Sequence, residues 1–288
     1  MSQTAPRWLS FQAAAQASYG VIDSDDEGYC RNLGALAGAP ADLLTAIASD
    51  ATERLLAEVD RAPRVPLSEL RFLPPIPNPS KILCVGLNYR AHQEETGRGG
   101  EGVPTIFTRF PSSQVGHEGI MLRPQESATL DYEGEIAIIV GRRARRIKAS
   151  AALDHLFGVS IYNDGSVREY QRHTSQFTPG KNFPSTGAFG PWIVPFCALE
   201  DPDALQLTTR LNGTVMQQAT AAQMVHGFAE ILEYCARFTE LEPGDVIVTG
   251  TPGGVGAART PPVFLDQGDR IEVELSGVGV LRNRVEVG

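Results

Sequence analysis

Residues 131–140 read DYEGEIAIIV, and this stretch decides the fold. Side chains of an extended chain alternate between two faces, so Asp131, Glu133 and Glu135 are predicted to point the same way. The run continues as Ile136–Val140, which is apolar on both faces and therefore typical of a strand buried on both sides. We expect its acidic end to lie at the rim of a cavity.

Acidic side chains that enter an interior need either a raised pKa or a bound cation. A solvent-exposed strand face is the alternative for Glu133 and Glu135, and their spacing alone leaves both interpretations open. Oxygen ligands without nearby Cys or paired His favour Mg²⁺, Mn²⁺ or Ca²⁺ over Zn²⁺. The four cysteines form no CxxC pair, which argues against a zinc site or a disulfide framework.

Length and composition are those of a globular chain. The 288 residues are 42% apolar and 20% charged, enough for about two domains. The net charge of −9 argues against nucleic-acid binding. No apolar stretch is long enough to cross a membrane, and the first residues do not resemble a secretory signal. We expect no membrane association and a cytoplasmic location.

The chain is predicted to form two domains. Residues 1–76 form a small N-terminal α+β domain, with short strands at Arg7–Phe11 and Ser18–Ile22 and a helical stretch over Ala41–Arg61. The proline-rich segment 62–80 is predicted to be an extended connector, which places the boundary near residue 76.

Residues 77–288 are predicted to be mainly β, because short runs rich in Val and Ile alternate with Gly and Pro. These runs are Lys81–Val85, Glu135–Val140, Trp192–Phe196, Asp245–Val248 and Arg270–Leu275. Helical periodicity returns over Ala222–Leu241, which predicts one amphipathic helix on a sheet. The fold class is therefore α+β.

Seven segments in order resemble the fumarylacetoacetate hydrolase family, which includes acylpyruvate hydrolases, oxaloacetate decarboxylases and hydroxyhepta-dienedioate isomerases. They are KILCVGLNYRAHQEE (81–95), PTIFTRFPSSQVG (104–116), LDYEGEIAIIVG (130–141), GVSIYNDGSVREYQ (158–171), GKNFPSTGAFGPWIV (180–194), NGTVMQ (212–217) and PGDVIVTGTPGGVG (243–256). The resemblance covers nearly all of residues 80–288. It implies a mixed β-roll as the catalytic domain and a homodimer.

The resemblance also implies a metal site. Glu133, Glu135 and Asp164 match the family's two glutamates and one aspartate that hold Mg²⁺ or Mn²⁺, with Ca²⁺ as an alternative. By itself Asp164 would be assigned to a turn or a helix cap. Lys181 matches the family's active-site lysine, which stabilises negative charge developing on the substrate.

Further matches concern the substrate and the proton. Arg168 and Gln171 match substrate-facing residues of the family, and Thr251 matches a threonine that binds the substrate carboxylate. His92 and Glu95 match an HxxE pair on a short helical lid, where Glu95 orients the imidazole and His92 takes a proton from water. The glycine-rich segment 97–102 would be the hinge of that lid.

Three residues depart from the family pattern. Pro184 stands after Phe183 where relatives often have an acidic residue. Asp164 is followed by Gly165 and Ser166 instead of Val and Ser. Arg109 stands where many relatives have lysine; it is expected to bind a second substrate carboxylate or to be structural. These departures lie near the expected pocket and concern the substrate more than the fold.

The resemblance implies an enzyme acting on a small 2-oxo or 2,4-dioxo acid. The leading hypothesis is metal-dependent hydrolysis of a carbon–carbon bond in an acylpyruvate such as fumarylpyruvate, a step in aromatic catabolism that yields pyruvate and a carboxylic acid. The alternatives are decarboxylation of oxaloacetate or a similar 2-oxo diacid, and isomerisation or hydration of an unsaturated 2-oxo acid. A hypothesis from another class is a β-rich binding protein with a structural Ca²⁺.

Overall fold

The computed structural model describes residues 5–99 and 102–288, in which strands dominate over helices. The strands are β1 Trp8–Ala13, β2 Gln16–Ile22, β3 Tyr29–Arg31, β4 Arg64–Pro66, β5 Arg71–Phe72, β6 Ile82–Gly86, β7 Thr105–Arg109, β8 Gln114–Val115, β9 Ile120–Arg123, β10 Leu130–Asp131, β11 Gly134–Val140, β12 Leu156–Asp164, β13 Ser166–Val167, β14 Gly187–Pro195, β15 Gln206–Leu211, β16 Thr214–Thr220, β17 Val246–Val248, β18 Arg270–Leu275 and β19 Gly279–Val287. The helices are α1 Leu43–Ala48, α2 Thr52–Ala57, α3 Arg90–Thr96, α4 Ala149–Ala152, α5 Arg168–Gln171, α6 Thr178–Lys181 and α7 Phe228–Phe238.

A twelve-stranded mixed sheet forms the centre of the molecule. Its order is β4-β3-β2-β1-β14-β12-β11-β17-β6-β7, with β5 paired to β1 and β8 paired to β14. A five-stranded sheet of order β16-β15-β18-β19-β9 and the short pair β10-β13 complete the sheet structure. The pairs β17-β6, β14-β8 and β19-β9 are parallel and the others are antiparallel, so the predicted mixed, mainly β architecture is observed.

Strand β11 is buried over its whole length, as its apolar sequence predicts. Ile136, Ile138 and Val140 enter a core shared with α7 and the five-stranded sheet. Ala137 and Ile139 enter a second core on the opposite face. The period-two alternation of a strand therefore divides one apolar run between two cores.

The N-terminal residues pack onto that second core. Trp8 of β1 pairs with Ile193 of β14, which joins the N-terminal strands to the central sheet. Trp8, Leu43 and Leu55 lie in the same buried cluster as Ala137 and Ile139. The domain boundary near residue 76 stays a prediction, and the two regions share apolar packing across it.

Two helix predictions differ from the structure. The stretch Ala41–Arg61 is not one helix: α1 and α2 are separated at Asp50, whose φ of 55° lies in the left-handed region. On either side of the break, Leu43 of α1 and Leu55 of α2 enter the same core. The helix expected over Ala222–Leu241 is the shorter α7, which begins after Gly227.

Helix α7 packs as predicted along most of its apolar face. Ile231, Leu232 and Cys235 are buried, whereas Phe238 at its last residue is 53% exposed. Arg145, which follows β11 in the chain, donates to the carbonyls of Ala236 and Arg237 near the end of this helix. The arginine therefore satisfies carbonyl groups that have no partner within the helix. None of the described helices has the length and apolarity that crossing a membrane requires.

Candidate active site

The three expected metal ligands meet at the ends of neighbouring strands. Antiparallel pairing sets Gly134 of β11 opposite Asn163 of β12, which places Glu133 and Glu135 beside Asp164. The Asp164 amide donates to the carbonyl of Glu133 at 2.8 Å. One carboxylate oxygen from each residue lies within 4.8 Å of the others, and all three residues are buried. The strand register alone brings Asp164 to the two glutamates.

Asp131 does not join this group, contrary to the alternation argument. It belongs to β10, and the chain leaves the strand at Tyr132 and Glu133 before β11 begins. Its carboxylate accepts from the amides of Gly256 and Ala257 at 2.8 and 2.9 Å and from Arg168 at 2.8 Å. Asp131 therefore holds a distant loop and positions Arg168.

Three cationic side chains surround the acidic group, the cluster formed by Glu133, Glu135 and Asp164. Lys181 Nζ lies 2.6 Å from Glu133 Oε2 and 2.5 Å from Asp164 Oδ2. Arg168 pairs with Glu133 Oε1 at 2.7 Å and Arg109 with Asp164 Oδ1 at 2.6 Å. All three cationic side chains are less than a tenth exposed. Each is a buried charge satisfied by a carboxylate, the arrangement that makes burial tolerable.

The ion pairs determine which groups are charged. Burial would raise the pKa of Glu133, but Lys181 and Arg168 outweigh it and lower that pKa to about 2. Burial would lower the pKa of Lys181, but Asp164 and Glu133 outweigh it and the net shift is upward. Lys181 is therefore an ammonium, able to stabilise negative charge but unable to act as a base.

Glu135 has a different environment. Burial, reinforced by the charges of Asp164 and Glu133, raises its pKa well above the ordinary value. Its Oε2 accepts from the amide of Gly250 at 2.5 Å, and no cation of the described residues lies within ion-pair distance. A buried carboxylate with this environment is neutral unless a further cation is supplied.

The donor set fits a divalent cation. The buried cluster holds four carboxylates and three cationic side chains: Asp131, Glu133, Glu135 and Asp164 against Arg109, Arg168 and Lys181. With all groups ionised it is one negative charge in excess, and Glu135 is the carboxylate without a cationic partner. Carboxylate oxygens suit Mg²⁺, Mn²⁺ or Ca²⁺. Glu133, Glu135 and Asp164 are the residues that would hold such an ion.

A glycine-rich loop lies against the acidic group. Gly250 has a φ of +107°, and a Cβ at this position would lie 2.6 Å from the Cβ of Asn88. A glycine is required here because the backbone must approach Glu135 closely in a conformation that other residues rarely adopt. The backbone amides of the segment after β17 therefore bind carboxylates of the protein itself.

His92 and Glu95 form a dyad on α3, as their spacing of three predicts. His92 Nδ1 lies 2.6 Å from Glu95 Oε1, and Glu95 Oε2 accepts from the amide of Gly254 at 2.7 Å. With Nδ1 engaged, Nε2 is the ring nitrogen left to exchange a proton with a ligand. The helix ends at Gly97, whose φ is +62°. Of the predicted hinge, Gly100 lies outside the described residues.

The dyad and two of the candidate metal ligands, Glu133 and Glu135, line one cavity of about 370 Å³, within the range of small-molecule sites. Its lining includes most of the expected site residues: His92, Glu95, Glu133, Glu135, Arg168, Gln171, Lys181 and Thr251. Its apolar wall includes Phe107, Phe177 and Val255. The structure thus brings the candidate base, the candidate metal ligands and the ammonium of Lys181 to one space.

Two expected residues are not in that lining. Asp164 lies behind it, fully buried, with its oxygens on Lys181 and Arg109. Arg109 is also fully buried, and its guanidinium is engaged by Ser113, Asp164 and Thr186. This placement favours the structural role for Arg109 over contact with a substrate carboxylate.

Thr251 contacts Gln217, a residue that was not a candidate from the sequence, whereas Gln171 contacts the expected Arg168. Thr251 donates to the carbonyl of Gly134 at 3.0 Å and accepts from Gln217 at 2.8 Å. Gln171 accepts from Arg168 at 2.9 Å. Gln217 lies in the quoted hairpin segment NGTVMQ, but nothing local shows that this hairpin reaches the site.

Comparison with known proteins agrees with the fold and the motifs. Residues 81–286 match the family described as fumarylacetoacetate (FAA) hydrolase C-terminal. The chain is 40% identical over 223 residues to the oxaloacetate tautomerase YisK of Bacillus subtilis (strain 168), covering 76% of this chain and 74% of that protein. It is also 40% identical over 225 residues to the mitochondrial oxaloacetate tautomerase FAHD2A of Bos taurus, covering 77% and 72%.

Solved structures extend the similarity to nearly the whole chain. The fumarylacetoacetate hydrolase (EaFAH) from psychrophilic Exiguobacterium antarcticum superposes with a TM-score of 0.87 at 36% identity, covering 98% of this chain and 100% of that one. The 2-hydroxyhepta-2,4-diene-1,7-dioate isomerase of Mycobacterium marinum gives a TM-score of 0.76 at 29% identity, covering 98% of both chains. The chain therefore belongs to the fumarylacetoacetate hydrolase family, a family of enzymes, as the seven ordered segments of its sequence predict.

Proposed function

We propose that this protein interconverts the keto and enol forms of a 2-oxo dicarboxylic acid of the oxaloacetate type in a metal-dependent reaction. One observation carries the proposal: His92, with Nδ1 held by Glu95, and the protonated Lys181 line the same cavity as two of the acidic metal-ligand candidates. Enolisation needs a base for the carbon-bound proton and a positive environment for the oxygen that becomes negative. The names of the curated relatives support this choice of substrate.

The acidic group would hold Mg²⁺ or Mn²⁺, which when bound supplies a Lewis acid for the oxygens of a 2-oxo acid. Lys181 stabilises the charge that develops on the carbonyl oxygen, because its ammonium is held in place by Glu133 and Asp164. In enolisation His92 Nε2 takes the proton from the carbon next to the carbonyl, and the oxygen takes up a proton from water to give the enol. In the reverse direction the enol oxygen loses its proton to water and His92 returns a proton to the carbon. Glu95 fixes the orientation of the imidazole.

Arg168, Gln171 and Thr251 complete the proposed substrate site. Arg168 is held by Asp131 and Glu133, so its orientation is fixed before a substrate binds. Gln171 and Thr251 present further polar atoms to the cavity. Preorganised donors of this kind require no rearrangement during the reaction.

Hydrolysis of an acylpyruvate, the leading hypothesis from the sequence, is the second candidate. The His92–Glu95 dyad favours it, because an imidazole held by a carboxylate is equally suited to remove a proton from water. Lys181 would then stabilise the departing pyruvate enolate. Decarboxylation of oxaloacetate is the third candidate, since it needs the same positive environment but no attacking water.

One set of assays separates these reactions. Freshly dissolved enol oxaloacetate is followed by loss of its enol absorbance, with a dehydrogenase specific for the keto form as a coupled readout. Parallel samples contain Mg²⁺, Mn²⁺ or a chelator, and pyruvate is measured at the end. Faster ketonisation without pyruvate supports the tautomerase proposal, whereas pyruvate from oxaloacetate supports decarboxylation.

The hydrolase candidate is tested with a short acylpyruvate. If pyruvate and a carboxylic acid are released and a chelator stops the release, the protein is assigned as an acylpyruvate hydrolase and not as a tautomerase. The Glu133→Gln variant is the control for metal dependence in each assay. If the metal-loaded protein accelerates none of these reactions, the proposed function is wrong.

The remaining expectations from the sequence stay proposals. A homodimer would be shown by twice the chain mass in light scattering. Metal preference would follow from titrations with Mg²⁺, Mn²⁺ and Ca²⁺. The cytoplasmic location and the role in aromatic catabolism stay predictions.

A further inference from the structure

We propose that Arg98 and Arg172 form a distal subsite, which binds the second carboxylate of a dicarboxylic substrate at the mouth of the cavity. The inference deepens the proposed function and rests on it, because it assigns the feature that selects diacids over monoacids. Both arginines line the cavity that contains His92 and the acidic group. Neither was a candidate on sequence grounds.

The two arginines have no partner among the residues that the structure describes. Neither side chain makes an ion pair or a hydrogen bond there; each contributes only its backbone amide, Arg98 to Gln93 and Arg172 to the preceding turn of α5. The other cations of the site are engaged, since Arg168 and Lys181 pair with carboxylates. Uncommitted guanidinium groups in a cavity are suited to bind an anion.

Burial orders the groups from the base of the cavity to its mouth. Glu133 and Glu135 are 4% and 2% exposed and lie at the base. Arg98 and Arg172 are exposed and therefore lie at the mouth. Phe107 and Phe177 contribute an apolar wall to the same cavity. A ligand with a 2-oxo acid group at the base, a carbon chain along the wall and a carboxylate at the mouth matches this order.

Local geometry supports the assignment of each arginine. Arg172 follows Arg168 by four residues at the end of α5, so the two side chains lie on the same face, and Arg168 points to Glu133. Arg98 follows Gly97, where α3 ends after carrying His92 and Glu95 into the cavity. The elements that carry the catalytic candidates therefore also carry Arg98 and Arg172 to the cavity.

The charge of the whole chain strengthens the argument. The protein carries a net charge of −9, which would repel a dianion from most of its surface. Arg98 and Arg172, which make no ion pair within residues 5–99 and 102–288, provide a local positive field at the mouth that counters this repulsion. A guanidinium also suits a carboxylate better than an ammonium does, because it donates two parallel hydrogen bonds.

The test compares diacids with monoacids in three single variants. Arg98→Gln and Arg172→Gln remove one guanidinium each, and Arg90→Gln is the matched control, an exposed arginine on α3 outside this cavity. Binding of 2-oxo dicarboxylates of four to six carbons and of the matching 2-oxo monocarboxylates to the Mg²⁺-loaded protein is measured by calorimetry. KM and kcat are measured for each acid that is turned over.

We expect Arg98→Gln and Arg172→Gln to weaken diacid binding by about tenfold to a hundredfold, the effect of losing a charge-assisted hydrogen bond. Both variants should bind monoacids within about twofold of wild type, because a monoacid has no second carboxylate to lose a hydrogen bond. Arg90→Gln should match wild type for both kinds of acid. KM for the diacid should rise while kcat changes little, since the arginines contact the part of the substrate that does not react.

Unchanged diacid binding in both variants would overturn the subsite. An equal loss for diacids and monoacids would also overturn it, because the arginines would then act on the field or the fold and not on the second carboxylate. The proposed function fails separately, through absent turnover by the wild-type protein, while the binding comparison still tests the subsite. Wild-type protein that binds no 2-oxo acid would overturn both.

Discussion

Arg109 donates to Asp164 across 2.6 Å, and both side chains are completely buried. The guanidinium holds Oδ1 of the carboxylate, which leaves Oδ2 to Lys181. Arg109 also donates to the hydroxyls of Ser113 and Thr186 and to the carbonyl of Gly165. A residue that the sequence placed beside the substrate is thus a support for a metal-ligand candidate.

Replacing this arginine should destabilise the protein in proportion to what is lost. Arg109→Lys keeps the charge but loses the fork, the planar set of guanidinium donors that reaches several acceptors at once. We expect a loss of about 1–3 kcal/mol in the free energy of unfolding. Arg109→Met leaves Asp164 with a single buried cation, and we expect a loss of about 3–5 kcal/mol. Urea unfolding of the metal-free protein measures both. A lysine variant as stable as wild type would show that the fork is dispensable.

Glu133→Gln and Glu135→Gln should differ in their effect on the stability of the metal-free protein, although both remove a candidate metal ligand. Glu133 pairs with Lys181 and Arg168, so its replacement should destabilise the metal-free protein by about 3–5 kcal/mol. The raised pKa of Glu135 makes it neutral without metal, so Glu135→Gln should leave the metal-free stability within about 0.5 kcal/mol of wild type.

Metal should separate these variants from wild type. The wild-type protein should unfold at a higher temperature with Mg²⁺ or Mn²⁺, by mass action on the folded state. Both glutamate variants should lose most of this increase, and calorimetric titration should show weakened binding. Full metal affinity in Glu135→Gln would remove Glu135 from the ligand set.

His92→Asn should retain metal binding and lose turnover. The imidazole is not in the acidic group, and removing a general base lowers the rate by about 10²–10⁴-fold. Glu95→Gln should give a smaller loss, because the imidazole remains but its orientation is less well supported. Steady-state kinetics with the metal titration as the control measure both effects. Turnover retained by His92→Asn would exclude it as the base.

Stability should fall in acid because of His117, which is not among the residues that line the cavity. Burial, reinforced by Arg282, lowers the pKa of His117 to about 4, and the exposed Glu118 at 3.6 Å does not compensate. Below the ordinary pKa of about 6.5 the unfolded chain takes up a proton that the folded chain refuses. Neutral His117 therefore makes its full contribution to the free energy of unfolding above about pH 6.5. About 3 kcal/mol of that free energy is lost as the pH falls to 4.

Unfolding in urea between pH 4 and 8 measures this dependence. In wild type, His117 Nδ1 accepts a hydrogen bond from the Arg282 amide. His117→Asn offers that amide another acceptor, the side-chain oxygen of Asn, which does not titrate. The variant should lose stability less steeply than wild type below pH 6.5 and follow the same curve above pH 7. Parallel curves over the whole range would assign the acid sensitivity to other groups.

Much of the central fold was predictable from local sequence. The apolar run Ile136–Val140 predicts a strand buried on both faces, and the structure divides it between two cores. The spacing of His92 and Glu95 predicts that they share a helical face, and their side chains are in contact. Such predictions succeed because backbone geometry sets the period of side chains over a few residues.

Predictions that assumed regular backbone over longer stretches were wrong where the chain bends. Asp131 leaves the acidic face because the strand is interrupted at Tyr132 and Glu133. The helix expected over Ala41–Arg61 breaks at Asp50 so that both halves reach one core. In each case packing against a distant element outweighs local periodicity.

By itself the sequence determined the buried acidic strand, the mainly β class and, through its ordered segments, the family. The spatial partners follow from the tertiary structure alone: Arg109 lies behind Asp164, Gln217 contacts Thr251 and Gly250 contacts Glu135. It also places Arg98 and Arg172 in the lining of the cavity. The physical reason is the range of the forces. Side-chain alternation follows from covalent geometry within a few residues, whereas the pairing of buried charges depends on strand register and loop approach between residues far apart in the chain.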